Sequence, residues 1–251
     1  MLAYNDVLDE LQDYILDEGH VDKLLKMKLS SQSQSQQVKA EKQRVIQKVA
    51  FQPALFVPAQ QDSLFWCYYI LKNGDAKYET LNNKNSLVAK QQKIELVSVI
   101  RKNKDIVKMY KFDTITNLES NLANDDNLSL KTFLSLCAIE NINIVYVSNK
   151  TYYESLMNDS GVTYIVREIQ SHNNKYHKKY GFELSTAPVL DVIRNTLYKL
   201  EVVDKPIRAA SAYKLQDLID ICGKLDITII NKETGKNKSK NDLYESIVQY
   251  F

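Results

Sequence analysis

The sequence predicts an α+β fold on three observations. Apolar residues recur at helical spacing in the stretches before residue 139, short β-branched runs cluster between residues 143 and 166, and helical spacing returns after Pro188. Grouping helices before and after the strands, rather than alternating with them, separates this pattern from a doubly wound α/β sheet.

Taken in order, Val7, Leu8, Leu11 and Ile15 predict an amphipathic helix within an N-terminal segment 1–28. Residues 29–42 include SSQSQSQQ, which holds no apolar side chain to offset chain ordering, so a flexible linker is expected there. The core, 43–202, opens on FQPALFVPAQQ, whose prolines bias the chain to an extended approach. Ile94, Val97 and Arg101 mark a helix, and the Asn- and Asp-rich residues 113–127 read as a connecting loop. Leu130, Phe133, Leu134 and Cys137 share one face of a helix at 129–139 with Ser129 near its N-cap. Strands are expected at 143–147, 151–154 and 163–166. From Pro188, the side chains Val189, Leu190, Ile193, Leu197 and Leu200 predict one more helix. A linker at 203–212 then leads to a block at 213–251 with helix, extended segment, basic loop and helix.

Composition narrows the function. A chain of 251 residues that is 44% hydrophobic can bury one large core and a small second one. Its net charge of +2 gives no global attraction to nucleic acid, so any such binding is local. No apolar run approaches the roughly 20 residues that span a bilayer, and the acidic N-terminus does not read as a signal peptide. Three widely spaced cysteines argue against a disulfide framework and for a reducing compartment, cytoplasmic or nuclear. Neither GxGxxG nor GxxxxGK occurs, no cofactor is expected, and the His172/His177 pair lacks the cysteine partners of a zinc site.

The segment Gln61 to Leu71, QDSLFWCYYIL, carries the sharpest chemical reading. It places Cys67 where a polar turn becomes an apolar helix, and a thiol in the first turn is shifted toward thiolate by free N–H groups. Gln61, six residues earlier, can donate to an oxyanion. The spacing resembles papain-like cysteine peptidases. NLSLKTFLSLCAIENINIVYV resembles the helix-then-strand segment of OTU-type deubiquitinases, although Trp66 stands before Cys67 where that family has an asparagine. The resemblance covers roughly residues 55–183 and implies a papain-like/OTU-like core, Cys67 as nucleophile, His172 or His177 as base, Gln61 at the oxyanion, and a ubiquitin-like or viral polypeptide substrate. Against this stands a simpler reading, in which Cys67 is a core residue and both histidines are solvated surface.

The C-terminal block resembles the SAP family of small DNA-binding modules on GKNKSKNDLY, residues 235–244. Lys236, Lys238 and Lys240 set positive charge beside a helix N-terminus, and Ser239 can cap that helix with Asp242 reaching back. The resemblance implies duplex DNA as partner. Abundant Asn, Lys, Tyr and Ile suggest AT-rich coding, and the chain resembles proteins of large DNA viruses, which would make it virion-associated. Two readings stay open: a tethered cysteine peptidase, or a non-catalytic structural or nucleic-acid-binding protein that keeps a degraded peptidase scaffold. Oligomeric state is not legible.

Overall fold

A computed structural model describes residues 55–81, 83–159, 161–169, 178–231 and 235–251. The chain divides at residue 50 into two units, and every described residue belongs to the second. The expected N-terminal helix and Ser/Gln linker lie outside the described residues.

Six helices precede the sheet: α1 Ser63–Asn73, α2 Asp75–Thr80, α3 Ser86–Lys102, α4 Lys104–Tyr110, α5 Ile115–Asn124 and α6 Leu130–Ile139. Four begin on side-chain caps, with Asp62, Asn85, Thr114 and Ser129 accepting from backbone N–H groups in the first turn. The loop expected at 113–127 is corrected by α5. Its flanks are as polar as the sequence suggests, but Leu118 and Leu122 stand one turn apart and are buried.

The sheet has strand order β4-β3-β1-β2-β5, with β1 Asn143–Ser148, β2 Thr151–Ser155, β3 Thr163–Ile169, β4 Lys179–Leu184 and β5 Tyr198–Lys199. β1 runs antiparallel to β2 and parallel to β3, and β3 runs antiparallel to β4. Alternation sorts the side chains. Ile144, Tyr146 and Val166 face the main core with Trp66, Phe65, Phe133 and Leu134, while Val145, Val147 and Ile165 face α7, Ala187–Thr196, through Ile193. Beyond β4 the chain at Phe56 forms one further bridge, to Phe182. Gly181 allows that approach, because a Cβ there would stand 2.8 Å from the Phe56 carbonyl oxygen.

The helix expected from Pro188 through Leu200 stops at Thr196. Tyr198 and Leu200 instead donate backbone N–H groups to Lys150 and Tyr152 at 2.8 Å each, so sheet pairing claims these residues. The segment 203–212 is packed on both sides: Val203 joins the main core, and Ile207 joins a second core built by α8 Leu215–Leu225 and α9 Lys240–Tyr250. That second core holds Leu218, Cys222, Leu225, Leu243 and Ile247.

One polar contact ties α1, α3 and the loop before α6. The Asp62 carboxylate caps α1 through Phe65 N–H at 3.2 Å and accepts from Leu128 N–H at 3.0 Å. It is also paired with the ammonium of Lys93, a residue of α3 that is only 2% exposed and donates to the Asp126 carbonyl at 2.8 Å. Removing one member of such a pair leaves a buried charge uncompensated. Asp62→Ala is expected to lower stability in a urea titration by about 3–5 kcal/mol. Lys93→Met is expected to cost less, because Asp62 keeps two backbone donors.

Candidate functional site

Asp62 sets where α1 begins, and that decides the fate of Cys67. With Asp62 as N-cap, Ser63 is the first helical residue and Cys67 the fifth, one full turn inside. The expected first-turn thiol is therefore corrected: the N–H groups that would stabilise a thiolate lie a turn earlier. Cys67 is 0% exposed, and its Sγ–H points to the Tyr180 carbonyl oxygen at 3.7 Å. Burial pushes its pKa far up, and the nearby Asp62 carboxylate adds to the shift. This sulfur is a neutral core thiol.

Gln61 does not converge with it. Gln61 is exposed and lines two surface clefts that meet at Gln61 and Asp62; Cys67 lines neither. The larger cleft, about 510 Å³, runs between the α1 cap and the start of α3, past Trp66, Lys84, Asn85 and Lys90. The smaller, about 170 Å³, is walled by Ser63, Asn127, Lys178 and Tyr180. His172 and His177 lie outside the described residues. Cys137 and Cys222 are buried, one in each core. Among the described residues no group of three His, Cys, Asp or Glu side chains is placed to hold a metal. No helix among them is long and apolar enough to cross a membrane.

Sequence reasoning passed over the residues that do stand at the head of α1. Ser63 Oγ accepts from Tyr180 N–H at 2.8 Å, locking the helix start to β4. Beside it, Tyr146 donates to Glu168 at 2.5 Å, and Lys178 pairs with Glu168 at 3.1 Å. The signal was present: an aspartate directly before an apolar run is an N-cap signature, and it puts the helix start at Ser63.

At the other end of the chain, Ser239 caps α9, accepting from Asp242 N–H at 3.3 Å, while the Asp242 carboxylate accepts from Ser239 N–H at 3.1 Å and from Ser239 Oγ at 2.8 Å. These bonds hold the Asp242 carboxyl below its usual range. The Asp242 carboxylate thus adds negative charge beside the helix start that the sequence offered as a phosphate seat. Lys238 reaches Ser246 Oγ at 2.9 Å and is half-buried. Over residues 213–251 six lysines meet six carboxylates, and the excess of positive over negative charge falls between residues 231 and 241.

The buried thiols carry a pH dependence. Cys67 and Cys137 have folded pKa values above the ordinary 9.0, and burial also raises those of Tyr68 and Tyr146. Folding thus disfavours their anions, and the stability held below about pH 9 is lost as pH rises past the unfolded values. Urea midpoints are expected to fall steadily from about pH 9 upward; an unchanged midpoint at pH about 10.5 would contradict this burial. Compared with known proteins, the chain matches no family, no curated protein and no solved structure.

Proposed function

We propose that this chain is a non-catalytic structural or nucleic-acid-binding protein, keeping a papain-like order of elements around a thiol withdrawn into the core. The observation that carries the reading is the state of Cys67: fully buried, raised in pKa, and occupied with a backbone carbonyl. A cysteine nucleophile needs an accessible thiolate beside a base. This sulfur fills a helix–sheet contact instead, and Gln61, its supposed oxyanion donor, faces solvent.

Mass-spectrometric mapping after iodoacetamide should find Cys67 labelled as slowly as Cys137 in the folded chain, and both labelled quickly in urea. A ubiquitin vinyl-type probe should leave Cys67 unmodified. Rapid labelling of Cys67 alone by that probe overturns the reading in favour of a peptidase.

Nucleic acid is the ligand we assign to the C-terminal module, through the lysines of its connecting hairpin. Ile230 bridges Asn237 there, and Lys236 is exposed beyond the bridge. Phosphate would meet the ammonium groups of Lys236 and Lys240, not the helix N-terminus. Replacing Lys236, Lys238 and Lys240 by Gln in the full chain is expected to weaken duplex DNA binding roughly tenfold near about 50 mM salt. Unchanged affinity removes the module from the interface.

A further inference from the structure

A further concentration of positive charge among the described residues lies elsewhere, on the end of α3 and on α4. Residues 101–111, RKNKDIVKMYK, hold five cations and one carboxylate in a chain whose net charge is only +2. Arg101 is engaged by Glu119 through two bonds of 3.0 and 2.9 Å. Lys102, Lys104, Lys108 and Lys111 are all exposed, and Lys104 also acts on Glu119 through its field. Between Lys108 and Lys111 opens a depression of about 670 Å³ with Val107 and Ile115 in its wall. The acid within it, Asp113, is already compensated: Asn117 Nδ2 and Thr114 N–H donate to it at 2.8 and 2.7 Å, and Lys131 pairs with it at 3.4 Å.

Aromatic surface accompanies the charge. Tyr110 is partly exposed and stacks on Phe112 with centroids 6.0 Å apart and planes 5° from parallel. Phe112 is itself held edge-on by Tyr153 and packs on the main core, so Tyr110 is the outer ring of an anchored stack. Met109, 66% exposed, lies beside it in sequence. Lysines that track a phosphate backbone beside a ring that can take a base are the elements of single-strand binding.

We propose that this surface, centred on Lys104, Lys108, Lys111 and Tyr110, binds single-stranded nucleic acid. The inference rests on the nucleic-acid reading above but not on the C-terminal module. Charge alone would serve an acidic protein or an anionic membrane equally well; the stacked ring favours a nucleic acid, because a base adds to an aromatic face where a carboxylate does not.

The test is fluorescence anisotropy of the full chain with a labelled oligo(dT) of about 20 nucleotides, titrated between about 50 and 200 mM salt. The triple variant Lys104→Gln/Lys108→Gln/Lys111→Gln should bind about tenfold or more weakly and lose about 2 from the logarithmic salt slope. Tyr110→Ala, checked for an unchanged far-UV spectrum, should weaken binding about fivefold or more with the slope retained. Should the triple variant bind like the parent while Lys236→Gln/Lys238→Gln/Lys240→Gln loses affinity, the surface proposed here is wrong and the module reading stands. The reverse result supports this surface and leaves the module out of single-strand binding. No binding of oligo(dT) by the parent chain overturns this surface, while duplex binding in the titration above still tests the module. Equal affinity for polyglutamate or phosphatidylserine vesicles overturns the assignment to nucleic acid.

Discussion

The Asp62–Lys93 ion pair is the contact on which the helical layer depends. Asp62 is 7% exposed and Lys93 2% exposed, so neither charge is hydrated and each needs the other. Around the pair stand further partners: Phe65 and Leu128 N–H groups on the carboxylate, and the Asp126 carbonyl and the face of the Phe65 ring, 5.6 Å away, on the ammonium. One carboxylate thus fixes the start of α1, the docking of α3 and the turn into α6. Hydrophobic packing supplies the bulk of the stability, but it is non-directional; the polar pair gives the three elements a common register.

That register has a chemical consequence. Capping at Asp62 starts the helix a turn before Cys67, rotates the thiol into the contact with β4, and leaves Ser63 where the first free helix N–H groups lie. Desolvation then outweighs any residual field of the helix. A thiolate requires hydration or a cation, and here the nearest charge acting on the sulfur is the negative one of Asp62. The same local chemistry recurs in reverse at α9, where Asp242 and Ser239 close the helix start upon themselves. An aspartate takes part in the cap at both helix N-termini that the sequence offered as reactive or anion-binding, as N-cap at α1 and as third helical residue of the capping box at α9, and a surface left with unbalanced positive charge is the lysine-rich end of α3 and α4.

The C-terminal helices are bound into the rest of the second unit by more than a tether. Tyr198 of β5 enters the small core, its hydroxyl donating to the Pro206 carbonyl at 3.1 Å, and Tyr244 donates to the Arg208 carbonyl at 3.0 Å. Lys150, in the turn between β1 and β2, pairs with Asp226 at the end of α8 at 2.6 Å. Such contacts give the module a defined seat on the edge of the sheet.

The sequence by itself determined what depends on neighbours in the chain. The helix at 129–139 with Ser129 as cap, the strands beginning at Asn143, Thr151 and Thr163, the burial of Cys137 and Cys222, and the Ser239/Asp242 capping pair are all legible, because periodicity and capping are local. β4 was passed over: Tyr180, Phe182 and Leu184 alternate with Lys179, Gly181 and Glu183, but the polar run before them and the central glycine weaken the strand signal, and the segment is ordered by pairing with β3 and with Phe56. Leu197 and Leu200 continue a helical pattern, yet ladder bonds to β2 take that stretch of backbone into the sheet. The α5 leucines were masked by polar flanks. Whether Cys67 meets water was decided only in three dimensions, since a cysteine in an apolar run reads alike as nucleophile or as core, and the burial that separates the two comes from strands more than a hundred residues away.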